Sequence, residues 1–203
     1  IYSPTNSKKI IRLSKLYLPK DIKKNKLRIR LLSVSRFTKR KDLITLLKAF
    51  HIVSLKFPNI DLILIGYGPE LNKIKNFIKD NKLSKKIFVL SPKKNPFPYF
   101  LISDLYVMPS LYEGCPNSII ESIILNIPVI SSNCNTGPSE ILLNGKGGFI
   151  FKKQDIFSLA NKIELFMKNK LIFKKKLKIA RKNIFRFEEK RIINEYKHLL
   201  NKI

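Results

Sequence analysis

The 203-residue sequence is short of cysteine, histidine, tryptophan and acidic residues, and each shortage narrows what the chain can be. Its two cysteines, Cys115 and Cys134, belong to no C-x-x-C or Cys/His cluster, which excludes a disulfide-stapled miniature and a zinc module. A reduced, cytoplasmic setting is expected. His51 and His198 lie far apart within helix-like stretches and are read as ordinary helix residues, not metal ligands. No apolar run approaches the roughly 18 residues that a membrane-spanning helix needs, and the N-terminal segment lacks the unbroken apolar core of a signal peptide. Only 14 acidic residues face 41 basic ones, a formal net charge of +27, so a polyanionic partner is the first class to consider. Of the basic residues 33 are Lys, in a chain also rich in Ile and Asn, a pattern that codon bias explains as readily as a binding face does.

What is present is a 44% hydrophobic fraction, enough for one globular domain without disulfides or metals. The chain begins at Ile1 without an initiator Met and is expected to be a segment of something longer. From Leu31 onward, short β-branched runs alternate with amphipathic stretches, the pattern of βα units on a parallel sheet. Strands are predicted at 28–34, 60–65, 87–90, 105–108 and 128–131. Asp42 is expected to cap the first helix, whose Leu43, Leu46, Leu47, Phe50 and Val53 recur at helical spacing. Pro116 is expected at the first position of the helix before the fifth strand. Further helices are expected near 138–143 and 155–168. The expected fold is therefore α/β, a Rossmann-like parallel sheet flanked by helices. Residues 1–27 read as a basic lead-in, 28–168 as the domain, and 169–203 as two basic closing helices.

The charge is not spread evenly. Between Asn95 and Gly145 there is no Lys or Arg, while Asp104, Glu113, Glu121 and Glu140 make that stretch acidic. A nucleic-acid reader places cations and interleaved aromatics on its reading face, and this chain does the reverse. Basic helices at the two ends better suit attraction to an anionic membrane surface, where each Lys or Arg is worth about 1 kcal/mol. A solvated, compositionally biased surface is the alternative.

Open parallel sheets bind ligands beyond the carboxyl ends of their strands. The loop after the first strand carries Arg36 and Lys41, two cations ahead of a helix N-terminus, a pairing suited to a diphosphate. Gly66 and Gly68 after the second strand permit close backbone approach, but Leu71 stands where a G-x-G-x-x-G dinucleotide loop needs its third glycine. After the fourth strand comes Pro109-Ser-Leu-Tyr-Glu113-Gly114-Cys115-Pro116-Asn117-Ser118-Ile-Ile-Glu121. The free amides of Asn117 and Ser118 at the helix start suit an anion or a sugar oxygen. Carboxylates eight residues apart can address two parts of one ligand, a ribose diol being a natural partner for one of them.

This last segment resembles the E-x7-E signature of retaining glycosyltransferases of the GT-B fold, in the large family 4 grouping. Further segments are similar to the family in the same order: Ile1-Tyr-Ser-Pro; Ser33-Val-Ser-Arg36-Phe with Lys41; Gly66-Tyr-Gly-Pro; Asp104-Leu-Tyr-Val-Met-Pro-Ser; Asn126-Ile-Pro-Val-Ile; and Cys134-Asn-Thr-Gly137-Pro-Ser-Glu140 with Asn144-Gly145. The resemblance implies the C-terminal, donor-binding half of such an enzyme. It assigns catalytic roles to Arg36, Lys41 and Glu113, the two cations holding the donor diphosphate and Glu113 the transferred sugar. It implies donor contacts from Ser35, Gly66, Gly68, Ser91, Gly114, Cys115, Pro116, Asn117, Ser118 and Glu121, with Glu121 on the ribose and the base near Ser91 to Asn95. Ser35 and Asp42 depart from the family, which favours glycine at both. No cofactor or metal is expected, since the two cations replace a divalent ion and no D-x-D follows a strand. The implied partners are a nucleotide diphosphate sugar, with UDP the expected carrier, a glycan or lipid-linked acceptor, and an acceptor domain absent from this sequence. Peripheral attachment to the cytoplasmic face of a membrane is a further expectation, and nucleic acid is not an expected partner. A non-enzymatic nucleotide-sugar or membrane-surface module, or a basic nucleic-acid binder, remain the alternatives.

Overall fold

A computed structural model describes residues 2, 4–22, 25, 27–134 and 136–201. Ile1, Ser3 and Asn135, parts of two of the segments compared above, lie outside the described residues.

The described residues build a six-stranded parallel sheet from β1 (Ile29–Val34), β2 (Ile60–Ile65), β3 (Ile87–Leu90), β4 (Leu105–Met108), β5 (Val129–Ser132) and β6 (Phe149–Phe151), in the order β3-β2-β1-β4-β5-β6. Leu31 pairs with Leu62 on one side and Leu105 on the other, so β1 sits at the centre. All six residues of β2 are buried, which is why its sequence is apolar at every position except Asp61 and shows no alternation. The strands are otherwise read in twos. Leu31, Leu62, Leu64, Leu105, Val107 and Ile130 point to one face, against α2 (Leu43–Lys56), α3 (Leu71–Asp80) and α7 (Ile156–Lys168). Leu32, Ile63, Ile65, Tyr106, Met108 and Val129 point to the other, against α1 (Ser7–Ser14), α4 (Phe97–Leu101), α5 (Asn117–Ile124) and α6 (Pro138–Ile141). The chain closes with α8 (Lys170–Lys182) and α9 (Glu189–Leu200), the two basic helices expected from the sequence.

Buried polar contacts fix the register at the centre. The Asp61 carboxylate on β2 takes both Arg28 nitrogens, at 2.7 and 2.6 Å. The Asp104 carboxylate accepts the Arg30 amide at 2.8 Å while its own amide donates to the Arg30 carbonyl, joining β1 to β4.

Four expectations need correction. The three-residue β6 was not anticipated; it follows Gly147 and Gly148 and is too short to show a period. The lead-in carries helix α1, capped by the Asn6 side chain on the Lys9 amide, and buries Ile10 and Ser14. Asp42 stands at the α2 N-cap position in left-handed conformation and caps no amide; its carboxylate accepts the Thr45 hydroxyl at 2.7 Å. Pro116 is the extended N-cap residue of α5, not its first helical residue.

Tyr2 and Thr5 to Ser7 fasten the start of the described chain to its end, mostly around Glu188. Thr5 and Glu188 form a parallel bridge, with the Thr5 amide on the Phe187 carbonyl and the Glu189 amide on the Thr5 carbonyl. Ser7 donates to Glu188, Asn6 to Glu189, and Tyr2 packs its ring 4.7 Å from Phe187 while donating to Glu140.

Candidate functional site

Strand order reverses between β1 and β4, so the loops leaving their carboxyl ends diverge and open a crevice, the usual ligand position in such sheets. These two loops hold Ser35 to Asp42 and Pro109 to Pro116. A 3-10 turn at Lys39–Lys41 folds the first of them, and the Leu111 amide donates to the Arg40 carbonyl at 2.8 Å, tying the loops together. Across the crevice Lys41 forms an ion pair with Glu113, both side chains being largely buried. The strongest spatial link between sequence-predicted site residues is thus Lys41 to Glu113. Arg36 is exposed on the same loop and meets no acidic partner among the described residues.

The two-glycine loop supports that crevice from below. A Cβ on Gly66 would lie 1.9 Å from the Ser35 carbonyl oxygen, and one on Gly68 2.4 Å from that of Phe37. Hydrogen bonds from Ser35 to Ile65, Phe37 to Tyr67 and Glu70 to Phe37 hold the contact. The close backbone approach that Gly66 and Gly68 permit is therefore made first by the chain's own cation-bearing loop. Ser91 follows β3 on the same rim, exposed, beside the Leu90 carbonyl that accepts the Gly66 amide. Asn95 is taken up by α1, donating to the Leu13 carbonyl and accepting from Tyr17.

Gly114 is exposed, and a Cβ there would meet nothing within 4 Å. Gly137 holds the turn instead. It lies at a φ of +70°, and a Cβ on it would come 1.8 Å from the Gly114 carbonyl oxygen. The Thr136 hydroxyl donates to the Glu113 carbonyl at 2.6 Å. Beyond the turn Cys115 is half-buried, and the amides of Asn117 and Ser118 find no backbone acceptor among the described residues, as the first turn of a helix leaves them.

Glu121 lies one turn further along α5. Burial raises its carboxyl from 4.5 to about 7. With Asn117 it lines a cavity of about 460 Å³ bounded by α1 and Phe97. Between the carboxylates sits a residue that sequence reading passed over. Tyr106 is fully buried on β4 and donates to the Val34 carbonyl at 3.2 Å. Burial pushes its hydroxyl above the ordinary value, against the opposing pull of its hydrogen bond with Ser118, and the charges of Glu121 and Glu113 add smaller pushes upward. A tyrosine within an otherwise apolar strand was the available signal. Gly137 stands in the Cys134-to-Glu140 segment noted above, but its contact with Gly114 spans more than twenty residues of sequence and left no local signal.

The buried hydroxyls of Ser35 and Ser110, at the carboxyl ends of β1 and β4, have no partner among the described residues. Among the described residues no cluster of three or more His, Cys, Asp or Glu could hold a metal. No helix among them is long and apolar enough to cross a membrane. The arrangement offers one cation paired with a carboxylate, a second cation without an acidic partner, two helix-start amides and a second carboxylate among the described residues, which suits a ligand with phosphates and hydroxyls.

A family model described as glycosyl transferases group 1 matches residues 16–185. An uncharacterized glycosyltransferase of Methanocaldococcus jannaschii is 40% identical over 111 residues, 55% of this chain and 27% of that protein. The poly(glycerol-phosphate) α-glucosyltransferase of Bacillus subtilis is 27% identical over 170 residues, 84% of this chain and 25% of that protein. The chain thus spans about a quarter of the length of these relatives. The crystal structure of Anabaena HepE in complex with UDP superimposes with a TM-score of 0.86 at 20% identity, over 100% of this chain and 57% of that one.

Proposed function

Because the chain belongs to the glycosyl transferases group 1, we propose that it forms the donor-binding half of a retaining GT-B enzyme that moves a sugar from a nucleotide diphosphate to a glycan or lipid-linked acceptor. The observation that carries this reading is the Lys41–Glu113 pair spanning the crevice at the β1/β4 switch, with Arg36 on the same loop meeting no acidic partner among the described residues. UDP in the HepE structure and the phosphate-polymer glucosyltransferase among the relatives support a UDP-sugar donor and a cell-surface acceptor.

Without donor, Lys41 is neutralised by Glu113. A diphosphate entering the crevice takes Lys41 as its counterion together with Arg36, and Glu113 is released to accept hydrogen bonds from the sugar hydroxyls. Gly114 leaves the space for that sugar, and the Asn117 and Ser118 amides supply donors to its phosphate. As the glycosidic bond breaks, charge grows on the departing phosphate, where the two cations act electrostatically. Same-face attack, assisted by that phosphate as base, accounts for retention without a protein nucleophile. Glu121 takes the ribose diol, and Ser91 lies on the rim that would receive the base. Lys41 and Arg36 serve where other phosphate-transfer sites use a divalent ion, so chelators should leave donor binding unchanged.

The test is turnover in the complete protein, with its acceptor domain. Arg36→Ala and Lys41→Ala should each lower it about 100-fold or more, as loss of a transition-state charge contact does. Wild-type rates in both would remove the diphosphate assignment. UDP titrated calorimetrically into this chain should bind, and absence of binding would reject the donor-half reading.

A further inference from the structure

At the opposite end of the sheet from these loops, a groove of about 890 Å³ opens at the amino ends of β4 and β5. Asp104 and Pro128, which lead into those strands, line one wall; α8 lines the other with Lys170, Lys174, Lys178, Arg181 and Lys182. These positions recur at three- and four-residue steps and form one helical stripe. The stripe lies beside Phe173, Leu177 and Ala180, which α8 buries, so the packing of the helix fixes which of its cations face the groove. Lys170 approaches Asp104 at 3.7 Å and Arg181 donates to Asn126 at 3.2 Å, whereas Lys174, Lys178 and Lys182 meet no acidic partner among the described residues. The floor between the walls is apolar, formed by Ile123, Ile124 and Leu177. The outer side of α8 and the turn after it add exposed Leu171, Ile179 and Phe185 among the lysines.

A nucleic-acid strand would find cations here but only one exposed aromatic, Phe185, since Phe166 in the groove is buried, and successive bases need a row of such rings to stack on. Inorganic phosphate would use the cations and leave the floor and the exposed apolar side chains without a role. Cations beside apolar side chains on one helix face are the arrangement of a helix lying in a membrane interface. We infer that this groove and the α8 face around it dock on an anionic bilayer, an acidic phospholipid placing its phosphate among Lys174, Lys178 and Lys182 and its first methylenes on the Ile123–Ile124 floor. The groove and the crevice lie at opposite ends of parallel strands, so the bound lipid is a docking ligand and not the sugar acceptor. The inference is independent of the proposed transfer reaction.

Vesicle flotation tests it, with phosphatidylcholine vesicles carrying or lacking phosphatidylglycerol at about 0.15 M salt, where longer-range attraction is screened. The chain should float only with phosphatidylglycerol. Lys174→Glu with Lys178→Glu should lower that partitioning at least about 10-fold, and Lys75→Glu with Lys79→Glu, the same charge change on α3, less than about 2-fold on the same scale. Equal losses in the two pairs would reduce the effect to bulk charge and overturn the proposal. Dihexanoyl phosphatidylglycerol below its micelle concentration should compete and inorganic phosphate should not; equal competition by phosphate would overturn the lipid assignment. Single-stranded RNA bound more tightly than vesicles, and released by the α8 pair alone, would overturn it as well. A thermal melt checks that the α8 pair folds, and Lys174→Gln with Lys178→Gln repeats the test without charge reversal.

Discussion

Glu121 binds its proton more tightly in the folded chain than in the unfolded one, because burial lifts it from 4.5 to about 7. Below 4.5 both states are protonated and the group is neutral in its effect. Between 4.5 and 7 the unfolded chain gains the freely solvated charge first, so stability falls across that window and levels off above it. The difference is worth about 3 kcal/mol at pH 8. Glu121→Gln should therefore raise the melting temperature at pH 8 and leave it unchanged near pH 4, read by thermal denaturation at both values. If the carboxylate accepts ribose hydroxyls, UDP affinity in the wild type should rise from pH 6 to 8, and the same substitution should flatten that rise. Two glycines separate in the same way. Gly137→Ala places a methyl on the Gly114 carbonyl in a left-handed backbone, so both stability and donor binding should drop, the former by about 1 kcal/mol or more. Gly114→Ala strikes nothing in the chain itself. It should melt like the wild type while weakening binding of the sugar nucleotide relative to UDP.

Among the elements, β1 and β4 decide the crevice, and their junction rests on Asp104. Asp104→Ala leaves the Arg30 amide without its partner inside the sheet, a loss of about 1–3 kcal/mol by denaturant unfolding. Breaking the exposed Lys56–Glu164 pair between α2 and α7 should change stability by less than about 1 kcal/mol. The central strands could be read from sequence because each is a run of β-branched or apolar residues bounded by turn residues. The loops at the β1/β4 crevice could be placed because a parallel sheet puts them after its strands. What escaped prediction lacked a local signal. The helix α1 is only eight residues long, with Ile10, Ile11 and Leu13 as its apolar positions, and β6 is three residues long. Asp42 looked like an ordinary cap, yet the preceding 3-10 turn forces it into a left-handed conformation that turns its carboxylate to Thr45. Pairing of Lys41 with Glu113 joins residues 72 positions apart and follows only from the strand order.

For the whole molecule, +27 is spread over a surface with few acidic residues to offset it. Self-repulsion of that size opposes compactness, and salt screens it. Raising the ionic strength should therefore raise the melting temperature, whereas a fold held by surface ion pairs would lose stability. The clasp of Thr5 to Glu188 carries a mechanical consequence. Segments attached before Thr5 and after Glu189 join the domain at one spot, so a pull between them loads two backbone hydrogen bonds and their flanking side chains in parallel. Tension applied there meets that short fastening, which lies outside the sheet, before it meets the strands that carry the crevice.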